Sequence, residues 1–263
     1  MKILLPTDFS ENSLKSIDYA LFIFGVNEVQ YHLLHTFEIV STRASDGIKE
    51  LKSEMEKQAD ENLVELANEI IKKHPLVKLS LEYQYGALCD FIHQIDNKQY
   101  DFIVMGTKGS SGLKEVFLGS NSWDVIVSTH IPVLVLPENV DFKQNLKLLF
   151  AIDPYQLPSK QVVELLLKME ENTSFEINLL AIKNNGDFNL NKINELFKGI
   201  RFNLIVTENE DIEKAIEIYQ QKKQIDLLVM VNQHRSFWEN LFHTSTTKKL
   251  TFHTKTPLLT IKD

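Results

Sequence analysis

Three glycines and a serine are the residues of this chain best suited to chemistry. Gly106, Gly109 and the pair Gly119-Ser120 fall in a G-x2-G-x9-G-S spacing, directly after the apolar run Phe102-Ile103-Val104-Met105. Glycine carries no Cβ, so its peptide turns freely and its N–H can approach an oxyanion closely. Gly106 closes a predicted strand and Gly109 permits a sharp turn. Gly119 and Ser120 open a predicted helix, whose unpaired N–H groups and dipole favour an anion. A phosphate cradle between a strand and a helix is the geometry of a nucleotide site. It is not a P-loop, because no Lys follows the last Gly in a G-K-[ST] arrangement, and it is not the compact G-x-G-x-x-G of dinucleotide binders.

The loop is flanked by an opening segment K-I-L-L-P-T-D-F-S, Lys2 to Ser10, and a closing segment P-V-L-V-L-P, Pro132 to Pro137. With these flanks it resembles the ATP-binding signature of the universal stress protein family, and the resemblance runs through the whole first half of the chain. It implies ATP, accompanied by Mg2+, as the cofactor. Gly106, Gly109, Gly119, Ser120 and Asn121 are the expected phosphate contacts, mostly through main-chain N–H groups, with the Ser120 hydroxyl as an added donor. Asn121 and Ser122 replace small apolar residues or Thr often seen there in the family, a change that backbone contacts survive. The resemblance also puts the carboxylate of Asp8 beside the nucleoside and Thr36, in L-L-H-T-F-E, where the second strand passes the adenine. Lys108 either adds charge to the phosphates or is simply solvated, and Ser110 and Ser111 read as loop filler.

The elements that position these residues occur twice. Ile225-Asp226-Leu227-Leu228-Val229-Met230 repeats Tyr100-Asp101-Phe102-Ile103-Val104-Met105, and the offset is 125 both for Asp101 to Asp226 and for Pro132 to Pro257. Leu149-Phe150-Ala151-Ile152-Asp153 repeats Leu4-Leu5-Pro6-Thr7-Asp8 at an offset of 145, so the second copy is shorter by twenty residues between these landmarks. Periodicity locates the loss. Ile48, Leu51, Met55, Ala59, Leu63, Leu66 and Ile70 recur at helical spacing in the first copy, where the second offers only Ile193, Leu196 and Phe197 before Gly199. Short apolar runs alternating with amphipathic helices imply parallel strands covered on both faces. The expected fold class is therefore α/β: two doubly wound five-stranded parallel-sheet domains, which the resemblance makes adenine nucleotide alpha hydrolase-like. They span 1–140 and 141–263, with the polar segment Pro137 to Asp141 as linker.

Single-domain members of the family commonly pair through their last strands. Carried over, this sets Val133 to Leu136 beside Leu258 to Ile261 and makes one chain a pseudo-dimer, which also covers two apolar edge strands at once.

The two copies diverge at the site. Through the 125 offset Gly106 becomes Val231, Gly109 becomes His234, Gly119 becomes Thr244, and Ser120 survives as Ser245. Each replacement adds a Cβ where close approach to phosphate wants none, and β-branched residues tolerate positive φ poorly. Phe237 and Trp238 add bulk. Nucleotide is expected in the first domain only, with the second structural or partner-binding, although His234, Arg235 and His243 leave room for a different anion site. Asp153 persists after the glycines have gone. Asp8 therefore has two readings, a nucleoside contact or a structural role at the strand-to-helix turn.

Whole-chain properties narrow the alternatives. A length of 263 residues suits two domains of about 100 to 150 residues each. A net charge of −8 argues against nucleic acid or an anionic membrane as partner, and no apolar run approaches the roughly 18 residues of a membrane helix. Cys89, the only cysteine, reads as a plain core thiol; one cysteine and no leader-like start suggest a cytoplasmic protein. Eight histidines show no metal-ligand spacing. The function expected is ATP-binding regulation of the stress-response type. A slow ATPase or phosphotransfer enzyme is the alternative, disfavoured by the absence of a general base, an Arg clamp or a second acidic Mg2+ ligand near the loop. A nucleotide-free adaptor acting by association is a third. The partners expected are an adenine nucleotide and a protein the sequence does not name, with homodimer formation left open.

Overall fold

The computed structural model describes residues 1–39, 48–95, 99–107, 120–170, 172–183, 188–208, 212–232 and 256–263. In the first half, β1 (Lys2–Pro6), β2 (Gln30–Phe37), β3 (Lys78–Tyr85), β4 (Phe102–Gly106) and β5 (Val133–Leu136) alternate with α1 (Glu11–Phe24), α2 (Ile48–Lys73), α3 (Leu88–Gln94) and α4 (Ser120–Ser128). The second half contributes β6 (Asn145–Ile152), α5 (Lys160–Met169), β7 (Ser174–Lys183), α6 (Leu190–Leu196), β8 (Phe202–Glu208), α7 (Ile212–Lys223), β9 (Leu227–Asn232) and β10 (Leu258–Lys262).

All ten strands form one sheet in the order β3-β2-β1-β4-β5-β10-β9-β6-β7-β8. Within each half the pairing is parallel and doubly wound, as the alternating pattern predicts. The halves meet where β5 runs antiparallel to β10, with Leu134 opposite Leu259. The expected pseudo-dimer is thus built by main-chain pairing of the two predicted strands. Thr260 reinforces it by donating its hydroxyl to the Val133 carbonyl at 3.3 Å. On each face of the sheet the buried apolar residues run through both halves without interruption. Leu4, Leu134, Leu228 and Leu259 are completely buried, in keeping with central parallel strands covered on both sides.

The repeat has a visible cause. Asp101 accepts the Lys2 N–H at 2.8 Å and returns its own N–H to the Lys2 carbonyl at 2.8 Å. Asp226 does the same with Lys147, at 2.9 and 2.8 Å. Each aspartate locks the start of its strand to the opening strand of its half.

The shortened second helix is where the periodicity puts it. α2 has 26 residues, burying Ala59, Leu63, Ala67 and Ile70, whereas α6 has 7 and buries Ile193. A compensating difference was invisible in the sequence: the β1–α1 connection is residues 7–10, but the β6–α5 connection is residues 153–159. α1 also buries more than one stripe, Tyr19 and Ile23 included, because the linker folds back on it. Phe142 lies 5.3 Å from the rings of both Tyr19 and Phe22, and Lys15 donates to the Glu138 carbonyl at 2.9 Å.

A titratable cluster distinguishes the first half. His32 of β2 hydrogen-bonds the Tyr100 hydroxyl through Nδ1, and its Nε2 is 3.1 Å from Glu82 of β3. The parallel register makes Asn178 its counterpart, since Leu4 faces His32 and Leu149 faces Asn178; there the neighbour is Asn203 at 3.2 Å. Burial pulls the His32 pKa below its ordinary 6.5, against the opposing pull of Glu82, with a smaller lowering from Lys2. The Tyr100 hydroxyl is pushed up to about 12, first by burial and then by Glu82. A depressed histidine pKa means the unfolded chain binds the proton more readily. The stability His32 contributes is therefore complete above pH 6.5 and lost as pH falls through the lower folded value. Urea unfolding should show less steep destabilisation between pH 7.5 and 5 for His32→Asn than for the native chain.

Candidate functional site

The strand order reverses between β1 and β4, and the C-terminal ends of those strands border the crevice where open α/β sheets bind ligands. Residues 7–10 form one wall. The Thr7 N–H donates to the Leu34 carbonyl at 2.8 Å, and the Thr7 hydroxyl accepts from the Phe9 N–H at 3.0 Å while meeting the Ser13 hydroxyl at 3.0 Å. Phe9 has a φ of 61°, a conformation costly for a residue with a side chain. Its ring lies 4.6 Å from that of His35, whose Nδ1 bonds the Thr7 carbonyl at 2.8 Å. Ser10 then caps α1, its side chain accepting from the Ser13 N–H.

Asp8 sits inside this turn. Its Oδ1 accepts the Ser10 N–H at 3.1 Å and the Ser10 hydroxyl at 2.5 Å. Asp153 makes the corresponding bond in the second half, accepting the Tyr155 N–H at 2.8 Å. The structural role at the turn is common to both copies, which explains why the aspartate outlasts the glycines. Thr36 is half-buried at the end of β2, opposite Gln84. It lies two residues beyond Leu34, the partner of Pro6, just as Asp8 lies two beyond Pro6.

Gly106 ends β4 as predicted and is buried. Its φ is outside the left-handed region, so the missing side chain answers a packing need. A Cβ here would lie 2.5 Å from Asn12 Nδ2 and 3.2 Å from the Asn12 carbonyl oxygen. The first turn of α1 is thus pressed against the end of β4. The first turn of α4 is held there too, because buried Ser122 donates its hydroxyl to the Gly106 carbonyl at 2.9 Å. Ser120 is the first residue of α4 and Asn121 is exposed beside it. Gly109 and Gly119, with Lys108, Ser110 and Ser111, lie outside the described residues. So do His234, Arg235, Phe237, Trp238, His243, Thr244 and Ser245. Val231, the counterpart of Gly106, is buried in β9.

The sequence reading missed Asn12, Ser122 and the Phe9 backbone. Ser122 was seen only as a departure from a pattern. Asn12 carried only a weak signal, a polar residue in the first turn of the predicted helix, four residues after Asp8.

Two helix N-termini therefore converge on Gly106 at the switch point, and α4 brings the positive end of its dipole there. The Asp8 carboxylate is engaged by Ser10, and the Nδ1 of His35 is engaged by Thr7. Among the described residues no group of three or more His, Cys, Asp or Glu is placed to hold a metal ion. No helix among them is long and apolar enough to cross a membrane. Cys89 is half-buried, and its thiol pKa is raised first by burial and then by Asp124 and Asp90.

A tandem of doubly wound α/β units joined through their last strands defines a two-unit α/β protein, with a glycine-rich connection after the fourth strand of the first unit. The model of the universal stress protein family matches residues 1–137, and the chain belongs to that family. Universal stress protein Slr1230 of Synechocystis is similar over 99% of both chains at 23% identity, which matches the tandem form. Universal stress protein MJ0531 of Methanocaldococcus jannaschii is 30% identical over 138 residues, 51% of this chain and 81% of its own. Among solved structures, a universal stress protein from Archaeoglobus fulgidus superposes with a TM-score of 0.77 at 24% identity, covering 99% of this chain and 98% of its own. That likeness establishes the fold.

Proposed function

We propose that this protein binds ATP in its first domain, residues 1–140, and acts as a regulator through that occupancy. The second domain, residues 141–263, is structural or docks a partner. The observation that carries this reading is the G-x2-G-x9-G-S spacing, which begins at Gly106 at the end of β4 and ends at Ser120 at the start of α4. Gly106, Gly109, Gly119, Ser120 and Asn121 bind phosphate, chiefly by main-chain N–H groups, while Asp8 and Thr36 border the nucleoside. Asp8 accepts from Ser10, so Mg2+ arriving with ATP would be held chiefly by phosphate oxygens and water. Binding itself is the output of this reading. A ligand that prefers the folded state stabilises it by mass action.

Titration calorimetry with ATP and Mg2+ tests this directly. One ATP binds per chain, and Gly119→Val weakens it by at least about tenfold, because a β-branched side chain then occupies the phosphate position. A native chain that takes up no ATP, or a Gly119→Val chain with native affinity, refutes the reading.

A further inference from the structure

The two helices whose N-termini meet at Gly106 are held at their other ends by side chains from the opposite half. The last turn of α1 presents the Phe24 carbonyl, which accepts the Asn172 Nδ2–H at 2.7 Å. The last turn of α4 presents the Val127 carbonyl, which accepts from Lys262 Nζ at 2.6 Å. Asn172 lies between α5 and β7, and Lys262 is the last residue of β10.

Neither α1 nor α4 has a basic residue in its own last turn. α2, α3, α5 and α7 have one, and the short α6 does not. The terminal carbonyls of a helix carry its negative pole and need donors, best supplied by a cation. For these two helices the donors come from the other half. The fit at α1 is close: Gly25, with a φ of 69°, leaves room for Asn172, and a Cβ on it would lie 2.7 Å from Asn172 Oδ1. At α4 the cation is half-desolvated, and burial lowers the Lys262 pKa.

We infer that the second half is a built-in clamp on the candidate nucleotide site. Asn172 and Lys262 are positioning residues that fix α1 and α4 from behind, and so set where the two N-termini stand around Gly106. Both helices are short, rigid rods whose far ends carry Asn12 and Ser122 to that glycine. A shift at the capped end therefore reaches the crevice. By reciprocity, nucleotide that tightens the N-termini strengthens the hold of the second half. A degenerate second copy is then useful without a ligand of its own.

The inference rests on the ATP reading, and two readouts keep the two separable. The full-length chain is compared with the double variant Asn172→Ala/Lys262→Met, with Lys262→Arg as the conservative replacement, and with Lys222→Met on the exposed end of α7 as a control. Amide hydrogen exchange in the last turns of α1 and α4 should quicken roughly tenfold in the double variant while β1 and β6 keep native protection. ATP with Mg2+ should bind roughly tenfold more weakly. Lys262→Arg and Lys222→Met should match the native chain in both. Native exchange in α1 and α4 of the double variant overturns the clamp, as does faster exchange spread evenly over the strands. Quickened exchange with unchanged ATP affinity overturns its link to the site. A native chain that takes up no ATP ends the ATP reading and the link with it, and the exchange comparison still decides whether the clamp exists.

Discussion

Leu259→Asp is expected to unfold both halves together. Leu259 is completely buried in β10 and pairs with Leu134 of β5 on one side and Val229 of β9 on the other. An aspartate there places a carboxylate with no partner in the middle of a ten-stranded sheet. The cost is about 4 kcal/mol or more, a large share of the roughly 5–15 kcal/mol that holds a typical domain folded. The seam makes the loss common property, since the apolar core on each face runs through both halves. The two tryptophans provide one reporter per half, Trp123 on α4 and Trp238 in the second copy. In urea titrations of single-tryptophan chains, Trp123→Phe and Trp238→Phe should give the same midpoint, and Leu259→Asp should lower both by the same amount. If the Trp123 signal keeps its midpoint while the Trp238 signal collapses, the halves are independent domains and the shared sheet is incidental to stability.

Most of this architecture was legible because it rests on periodicity. Alternation of apolar runs with amphipathic stripes fixes ten strands in two doubly wound sets, and a constant offset of 125 between landmark residues exposes the duplication. The length of the second helix was readable for the same reason: Ile48, Leu51, Met55, Ala59, Leu63, Leu66 and Ile70 write a stripe that residues 190–196 cannot, and Ala59, Leu63 and Ile70 of that stripe are buried. What was not legible depends on contacts between residues far apart in the chain. α1 looked like a one-sided helix, yet it buries Tyr19 because Phe142, just after the linker, packs on its outer side. The longer β6–α5 connection was hidden because Asp153 keeps its place at the turn while its helix starts later. Asp8 had two readings in the sequence, and the bond from the Ser10 N–H makes the turn role concrete. The glycine spacing singles out the connection after β4, but spacing alone cannot say which partner each glycine is making room for.

Gly106 is where that question has a measurable answer, and Gly106→Val is expected to cost about 3 kcal/mol or more of folding stability. Its second-copy counterpart is Val231, which is buried in β9, so valine is tolerated at the corresponding end of that strand. In the first half the end of the strand is occupied by Asn12. A Cβ would stand 2.5 Å from its Nδ2 and 2.8 Å from its Cγ, distances at which something must move. Asn12 is itself buried, so its amide has little room to swing away. The smaller change Gly106→Ala should cost about 1–3 kcal/mol, and adding Asn12→Ala should return more than half of that, since removing the amide clears the two nearest atoms. The same double variant separates the two roles of the glycine. If Gly106 is bare for the sake of α1, Gly106→Ala/Asn12→Ala regains both its urea midpoint and, to within about threefold, its affinity for ATP. If stability returns and affinity does not, the missing Cβ serves the phosphates after all, and the contact with Asn12 is a consequence of that vacancy rather than its cause.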